Sequence, residues 1–150
     1  MTDYFNEDNL KKLESVLLSW ENTPYRHHCG IKGRGADCVH FVGRVLEELQ
    51  IFRWKKNIVP DYPRDWHLHN TREALLENLM REIPGRLIEL TELKDGDLVF
   101  SHYGKAASHA AIFYKGYLWQ SLMNIGVVKI NYQDQTMQKN IKYAYRIEKK

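Results

Sequence analysis

The spacing of apolar residues changes about halfway along the chain, and this change limits the fold more than any other feature of the sequence. In the first half, apolar residues recur every three or four positions over 10–20 and 41–49, the period of an amphipathic helix. In the second half, short segments of strand character lie between turn residues and cover 97–101, 108–114, 117–122, 127–130 and 142–147. Helices followed by a mostly antiparallel sheet of five to six strands predict an α+β fold.

The ends of several elements are also marked. Asn6 or Asp8 can cap the first helix, and the second begins at about Cys38, after a glycine-rich loop. A third helix is predicted over 70–83, where a capping pair starts the pattern and a Pro-Gly pair ends it. Lys115-Gly116 predicts a tight hairpin turn between two of the strands.

Length, charge and hydropathy exclude several classes of protein. The 150 residues suit a single domain spanning 1–150. The net charge is +3 and the basic residues are dispersed among acidic ones, so no nucleic-acid partner is expected. No apolar run reaches the roughly 18 residues that a membrane span needs. The first residues lack the pattern of a signal peptide, so we expect synthesis in the cytoplasm; the oligomeric state stays open.

The two cysteines, Cys29 and Cys38, are too few for a disulfide scaffold, so one of them can be a nucleophile. A thiol attacks as its thiolate, which a helix N-terminus and a nearby histidine favour. Cys38 lies at a helix start, His109 opens a strand of small residues, and Gln120 on the next strand could orient the imidazole. The residues alone also allow a simpler interpretation, in which Cys38 is a buried small side chain and His109 a surface residue.

Several potential metal ligands offer another interpretation. His27, His28, Cys29, His67 and His69 carry the imidazole and thiolate groups that bind zinc. They do not follow a standard ligand spacing, so a surface histidine cluster is the favoured interpretation. No metal and no other cofactor is predicted.

Three motifs, in order, resemble the NlpC/P60 family of cell-wall cysteine peptidases. They are Thr23-Pro24-Tyr25-Arg26 continuing through Gly33 and Gly35 to Asp37-Cys38-Val39-His40-Phe41, then Asp95-Gly96-Asp97-Leu98-Val99-Phe100, and then Ser108-His109-Ala110-Ala111-Ile112-Phe113. The resemblance covers about residues 16 to 122 and is closest to phage-type, unsecreted members.

The resemblance implies a papain-like core with the nucleophile at a helix N-terminus. It also implies hydrolysis of the bond between D-glutamate and a diamino acid in the stem peptides of peptidoglycan, the expected partner. Cys38 would be the nucleophile, His109 its base and Gln120 the third member of a triad. An unsecreted enzyme of this kind would reach the wall by phage- or effector-type delivery.

The resemblance further assigns contacts with substrate or with the oxyanion. The residues concerned are Tyr25, Asp37, Ser108 and Trp66, with Tyr25 beside the backbone amide of Cys38. Separately, the aromatic content and length of the connector 52–69, which contains Trp66, lead us to expect that it forms one wall of the cleft.

The sequence departs from the family pattern at three places, one of which is His27-His28-Cys29-Gly30 in place of the paired glycines that are usual after the tyrosine segment. Gln120 stands where a histidine is more usual, and His40 stands where a small residue is common. His40 is predicted to point away from the nucleophile and to be structural. Two alternatives stay open: a papain-like amidase or acyltransferase acting on a substrate other than cell wall, and a non-catalytic wall-binding or assembly module.

Overall fold

The computed structural model describes residues 2–54, 80–103 and 106–150, and for 102, 103 and 106–108 it describes the backbone alone. Within these residues, no helix is both long and apolar enough to cross a membrane. The predicted third helix and most of the connector fall largely outside the described residues.

Two helices precede the sheet, as the apolar spacing predicted. Helix α1 spans Glu7–Trp20, and the side chain of Asn6 caps it by accepting hydrogen bonds from two amides of its first turn. Helix α2 spans Cys38–Glu48, and the side chain of Asp37 caps it by accepting a hydrogen bond from the amide of His40. Each helix turns its apolar stripe inward, and burial of a large apolar side chain stabilises the fold by about 1.5–3 kcal/mol.

The second half of the chain forms one antiparallel sheet, which confirms the α+β prediction. Its strands are β3 (Gly85–Ile88), β4 (Leu98–Tyr103), β5 (Ala106–Tyr114), β6 (Tyr117–Leu122), β7 (Gly126–Asn131) and β8 (Ile141–Ile147), in the order β3-β8-β4-β5-β6-β7. A 3₁₀ turn at Leu90–Glu92 precedes β4, and the short helix α3, Gln135–Gln138, precedes β8. A separate hairpin joins β1 (Gly30–Ile31) to β2 (Gly35–Ala36) in front of α2.

The sequence did not predict β3 or the β1–β2 hairpin. β3 is an edge strand that pairs with β8 alone, and its Leu87 is exposed, so it lacks a clear apolar alternation. The hairpin strands have two residues each, which is too short for any period to be visible.

The main hydrophobic core lies between the helices and one face of the sheet. It joins side chains of α1 and α2 to those of the central strands, among them Phe100, Ile112 and Trp119. Helix α2 packs directly against β5 and β6. A smaller cluster around Val99 and Leu118 covers the other face of the sheet.

The chain leaving α1 is fixed to the edge strand β7. Asn22 donates its amide to the carbonyl of Val127 at 3.0 Å, and the amide of Val127 donates to the carbonyl of Thr23 at 2.8 Å. Gly126 permits this close approach, because a Cβ there would lie 2.4 Å from the Thr23 carbonyl oxygen and its φ is +100°. The segment that begins the first motif therefore has a fixed path across the end of the sheet.

Candidate active site

Cys38 is the first residue of α2 and is 4% exposed. Neither it nor Cys29 forms a disulfide. The first amides of a helix have no partner within the helix, so the start of α2 offers both a partial positive charge and amide donors beside the thiol. Such a position favours a thiolate and any oxyanion formed next to it.

A buried hydrogen bond fixes the segment that leads into Cys38. The hydroxyl of Ser121, on β6, donates to the carbonyl of Ala36 at 2.6 Å. The amide of Ala36 donates to the carbonyl of Pro24 at 2.9 Å, and the amide of Arg26 donates back to Ala36 at 3.3 Å. The sequence analysis did not identify Ser121, because a contact between residues 85 positions apart leaves no local pattern.

His109 and Gln120 form a buried pair on the neighbouring strands β5 and β6. Nε2 of His109 lies 2.5 Å from Oε1 of Gln120, and the two residues are 3% and 0% exposed. Because an amide oxygen only accepts, Nε2 must carry the proton, which leaves Nδ1 as the acceptor nitrogen of the neutral ring. This is the orientation that the sequence predicted for Gln120 toward the imidazole.

Burial sets the charge of His109. Loss of solvation lowers the pKa of its imidazole to about 4, although the hydrogen bond that it donates to Gln120 acts in the opposite direction. The ring is therefore neutral near neutral pH and can accept a proton at Nδ1, as a general base must.

Helix α2 and this pair occupy adjoining parts of the fold, since α2 packs against the two strands that carry His109 and Gln120. The structure thus brings the second and third predicted members of the triad together and puts the Cys38 helix against their strands. Contact between the thiol of Cys38 and Nδ1 of His109 stays a prediction.

The residues predicted to contact the substrate or the oxyanion differ in their burial and position. Tyr25 is half-buried, in the segment that hydrogen-bonds to Ala36 just before the nucleophile. Asp37 is fully buried, with its carboxylate engaged by groups of this chain. Ser108 lies on β5, one residue before His109, where the backbone alone is described. Trp66, and with it the predicted cleft wall, lies outside the described residues.

A cluster of rings that the sequence did not predict lies around His40, two residues after Cys38. Nδ1 of His40 lies 2.9 Å from Oδ1 of Asp37, and the His40 ring packs against those of Trp54 and His28. The one signal in the sequence was the unusual histidine at position 40, which marked a departure from the family pattern without indicating its partners.

The zinc interpretation has no support within the described part of the chain. There, no group of three or more His, Cys, Asp or Glu side chains is arranged to hold a metal ion. His67 and His69 lie outside that part.

Comparison with solved structures shows which fold this is. The chain is similar to a lipoprotein-like protein of the NLP/P60 family from Staphylococcus aureus, with a TM-score of 0.67 and 18% identity, over 97% of this chain and 43% of that one. It is also similar to the NlpC/p60 domain of the peptidoglycan hydrolase SagA, with a TM-score of 0.59 and 18% identity, over 91% and 97% of the two chains. A third similar structure is the peptidoglycan hydrolase RipB from Mycobacterium tuberculosis, with a TM-score of 0.58 and 15% identity, over 97% and 70%.

At these identities the similarity establishes the fold, and the chain spans less than half the length of the Staphylococcus protein. None of the curated protein sequences matches it significantly. The family model of the NlpC/P60 family, however, matches residues 22–146, which include Cys38, His109 and Gln120. The chain therefore belongs to the NlpC/P60 family.

Proposed function

We propose that this protein is a cysteine peptidase that cleaves the stem peptides of peptidoglycan. Its family membership supports a cell-wall hydrolase, since two of the structures it resembles are described as peptidoglycan hydrolases. The observation that carries the proposal is the hydrogen bond between His109 and Gln120, on the two strands against which the Cys38 helix packs.

The first half of the reaction follows from the protonation state of His109. Nδ1 would take the proton from the thiol of Cys38, and the sulfur would attack the carbonyl carbon of the scissile amide. The backbone amide of Cys38, at the start of α2, would donate to the oxyanion. As the tetrahedral intermediate collapses, the carbon–nitrogen bond breaks, and the leaving amine takes the proton from Nδ1.

The second half would regenerate the enzyme. A water molecule gives a proton to Nδ1 and attacks the thioester carbonyl, the carbon–sulfur bond breaks, and the sulfur takes the proton back from Nδ1. The product leaves as a carboxylic acid, which loses its proton to solvent. Throughout, Gln120 would hold Nε2–H and so prevent the ring from rotating or changing its tautomer.

The proposed bond is that between D-glutamate and the diamino acid of the stem. Tyr25, beside the segment that leads to the nucleophile, would contact the substrate or the oxyanion, and Asp37, Ser108 and Trp66 are the further predicted contact residues. The neutral Gln120 means that the site would work without a carboxylate behind the imidazole.

The test is mass spectrometry of purified stem-peptide fragments after incubation with the protein. We expect two products whose masses sum to that of the substrate plus one water, one ending in D-glutamate and one with a new amine on the diamino acid. Cleavage at another bond would overturn the bond assignment. Acyl transfer without uptake of water, or binding without turnover, would contradict the peptidase itself.

A further inference from the structure

The imidazole of His40 connects the nucleophile helix to the loop in front of it. Nδ1 of His40 lies 2.9 Å from Oδ1 of Asp37, which also accepts the backbone amide of His40 at 2.8 Å. The other carboxylate oxygen, Oδ2, accepts the backbone amide of His28 at 2.8 Å. Asp37 is fully buried and His40 is 7% exposed, so these hydrogen bonds are shielded from water.

The chemistry of this contact fixes where the proton is. An ionised carboxylate can only accept, so Nδ1 of His40 must be protonated and donate to Asp37. A buried carboxylate needs such donors to compensate for lost solvation. Asp37 directly precedes Cys38 and caps its helix. Donors that fix this carboxylate therefore hold the start of α2, with its partial positive charge, beside the thiol.

The ring of His40 contacts two other rings. The indole of Trp54 lies 4.9 Å from it, centre to centre, at an angle of 30°, and the ring of His28 meets it edge-on at 5.2 Å. Trp54 is itself fixed to α2, because its amide donates to Glu47 at 2.9 Å. Its indole also fills the space that a side chain at Gly43 would need, since a Cβ there would lie 2.1 Å from the ring.

We propose that His40 is a positioning residue for Cys38. Its Nδ1–H fixes the rotamer of Asp37, and with it the first turn of α2, whose amides and partial positive charge favour the thiolate. The effect on turnover rests on the proposed peptidase function. The effect on the reactivity of the thiol does not, and it can be measured without any wall substrate.

The test is the rate at which iodoacetamide alkylates Cys38, with peptide mapping to separate it from Cys29. We expect His40→Leu to slow alkylation about tenfold or more, because the hydrogen bond it loses is to a charged group. His40→Asn keeps an N–H donor near the position of Nδ1 and should stay within about threefold of wild type. Turnover of a stem peptide should follow the same order with KM little changed.

The matched control is His28→Asn, which removes a ring in contact with His40 but keeps the backbone amide that donates to Asp37. Asparagine also tolerates the φ of +55° at this position. We expect the control to react at nearly the wild-type rate.

A folded His40→Leu protein that is alkylated at the wild-type rate would overturn the inference, as would a His40→Asn protein as slow as His40→Leu. If His40→Leu does not fold, the ¹⁵N spectrum of the wild-type imidazole decides: a proton on Nδ1 supports the inference, and a proton on Nε2 alone contradicts it. A wild-type protein that cleaves no stem peptide, yet shows this order of alkylation rates, would refute the proposed function and leave the role of His40 intact.

Discussion

Nε2 of His109 donates a 2.5 Å hydrogen bond to Oε1 of Gln120, and both side chains are buried. The amide of Gln120 is uncharged, and burial keeps the imidazole neutral down to a pH of about 4, where its lowered pKa lies. The orientation and tautomer of the histidine are thus set without a carboxylate behind it.

The first prediction concerns how much Gln120 contributes to turnover. Gln120→Ala should lower turnover by about ten- to a hundredfold, since it removes one buried hydrogen bond and leaves the nucleophile in place. Gln120→His should retain activity, because a ring nitrogen can accept the same bond. The exposed Gln133→Ala is the matched control and should match wild type. Wild-type turnover by a folded Gln120→Ala protein would remove Gln120 from the site and leave a Cys-His dyad.

The second prediction is a pH dependence of stability that originates at His109. Its pKa is about 4 in the folded protein against the usual 6.5, so the unfolded chain binds the proton more readily. The contribution of neutral His109 to the free energy of unfolding is therefore fully present above a pH of about 6.5. It is lost as the pH falls toward 4. Urea unfolding at about pH 7 and pH 4.5 should show about 2 kcal/mol more acid destabilisation in wild type than in His109→Gln. Equal acid destabilisation of the two proteins would show that His109 titrates normally.

The third prediction concerns the anchor between Ser121 and the segment before Cys38. Ser121→Ala leaves the buried carbonyl of Ala36 without this donor and should lower the free energy of unfolding by about 1–3 kcal/mol. Turnover should fall as well, because Ala36 lies two residues before the nucleophile. Ser19→Ala is the control: Ser19 is exposed, and its hydroxyl makes an equally short 2.6 Å bond, but to the carbonyl of Val16 in its own helix. Similar effects of both substitutions on turnover would contradict a specific role for Ser121.

The fourth prediction separates stability from catalysis at Asp97, which belongs to the second family motif. Its carboxylate receives two hydrogen bonds from Arg146, at 3.0 and 2.9 Å, and both residues are buried. These hydrogen bonds raise the pKa of Arg146. Asp97→Asn should lower the free energy of unfolding by about 3 kcal/mol or more, because it leaves a buried guanidinium without its charged partner.

The exposed pair of Asp3 and Arg86, 3.2 Å apart, provides the comparison. Asp3→Asn should change the free energy of unfolding by less than about 1 kcal/mol. At a temperature where both variants are folded, both should turn over substrate at the wild-type rate. A lower rate in folded Asp97→Asn would mean that Asp97 also acts on the site.

The elements that form the site were predictable because each has a local signal. The apolar stripe of α2 fixed its start at Cys38, and the Lys115-Gly116 turn, with φ of +48° and +82°, fixed which residues of β5 and β6 face each other. Continued along the hairpin, this register puts Gln120 opposite Ala111, two residues from His109 on the same face of the sheet, so the contact of the two side chains could be expected from the chain alone.

The contacts that hold the nucleophile segment could not be predicted in this way. Ser121 reaches Ala36 across most of the chain, and Asp37 bonds to a loop amide whose path depends on tertiary packing. No periodicity encodes such contacts. The edge strand β3 was missed for a related reason, since its pairing with β8 and not its own pattern makes it a strand.

The central claim is that Cys38 is the nucleophile, and the turnover of a purified stem peptide by two single-cysteine variants tests it most directly. Cys29→Ala removes the other thiol, and should cleave the peptide at nearly the wild-type rate. Cys38→Ala should lose at least about a thousandfold in turnover while keeping its fold, because no covalent route is left. Substantial turnover by folded Cys38→Ala, or its loss in folded Cys29→Ala, would contradict the account.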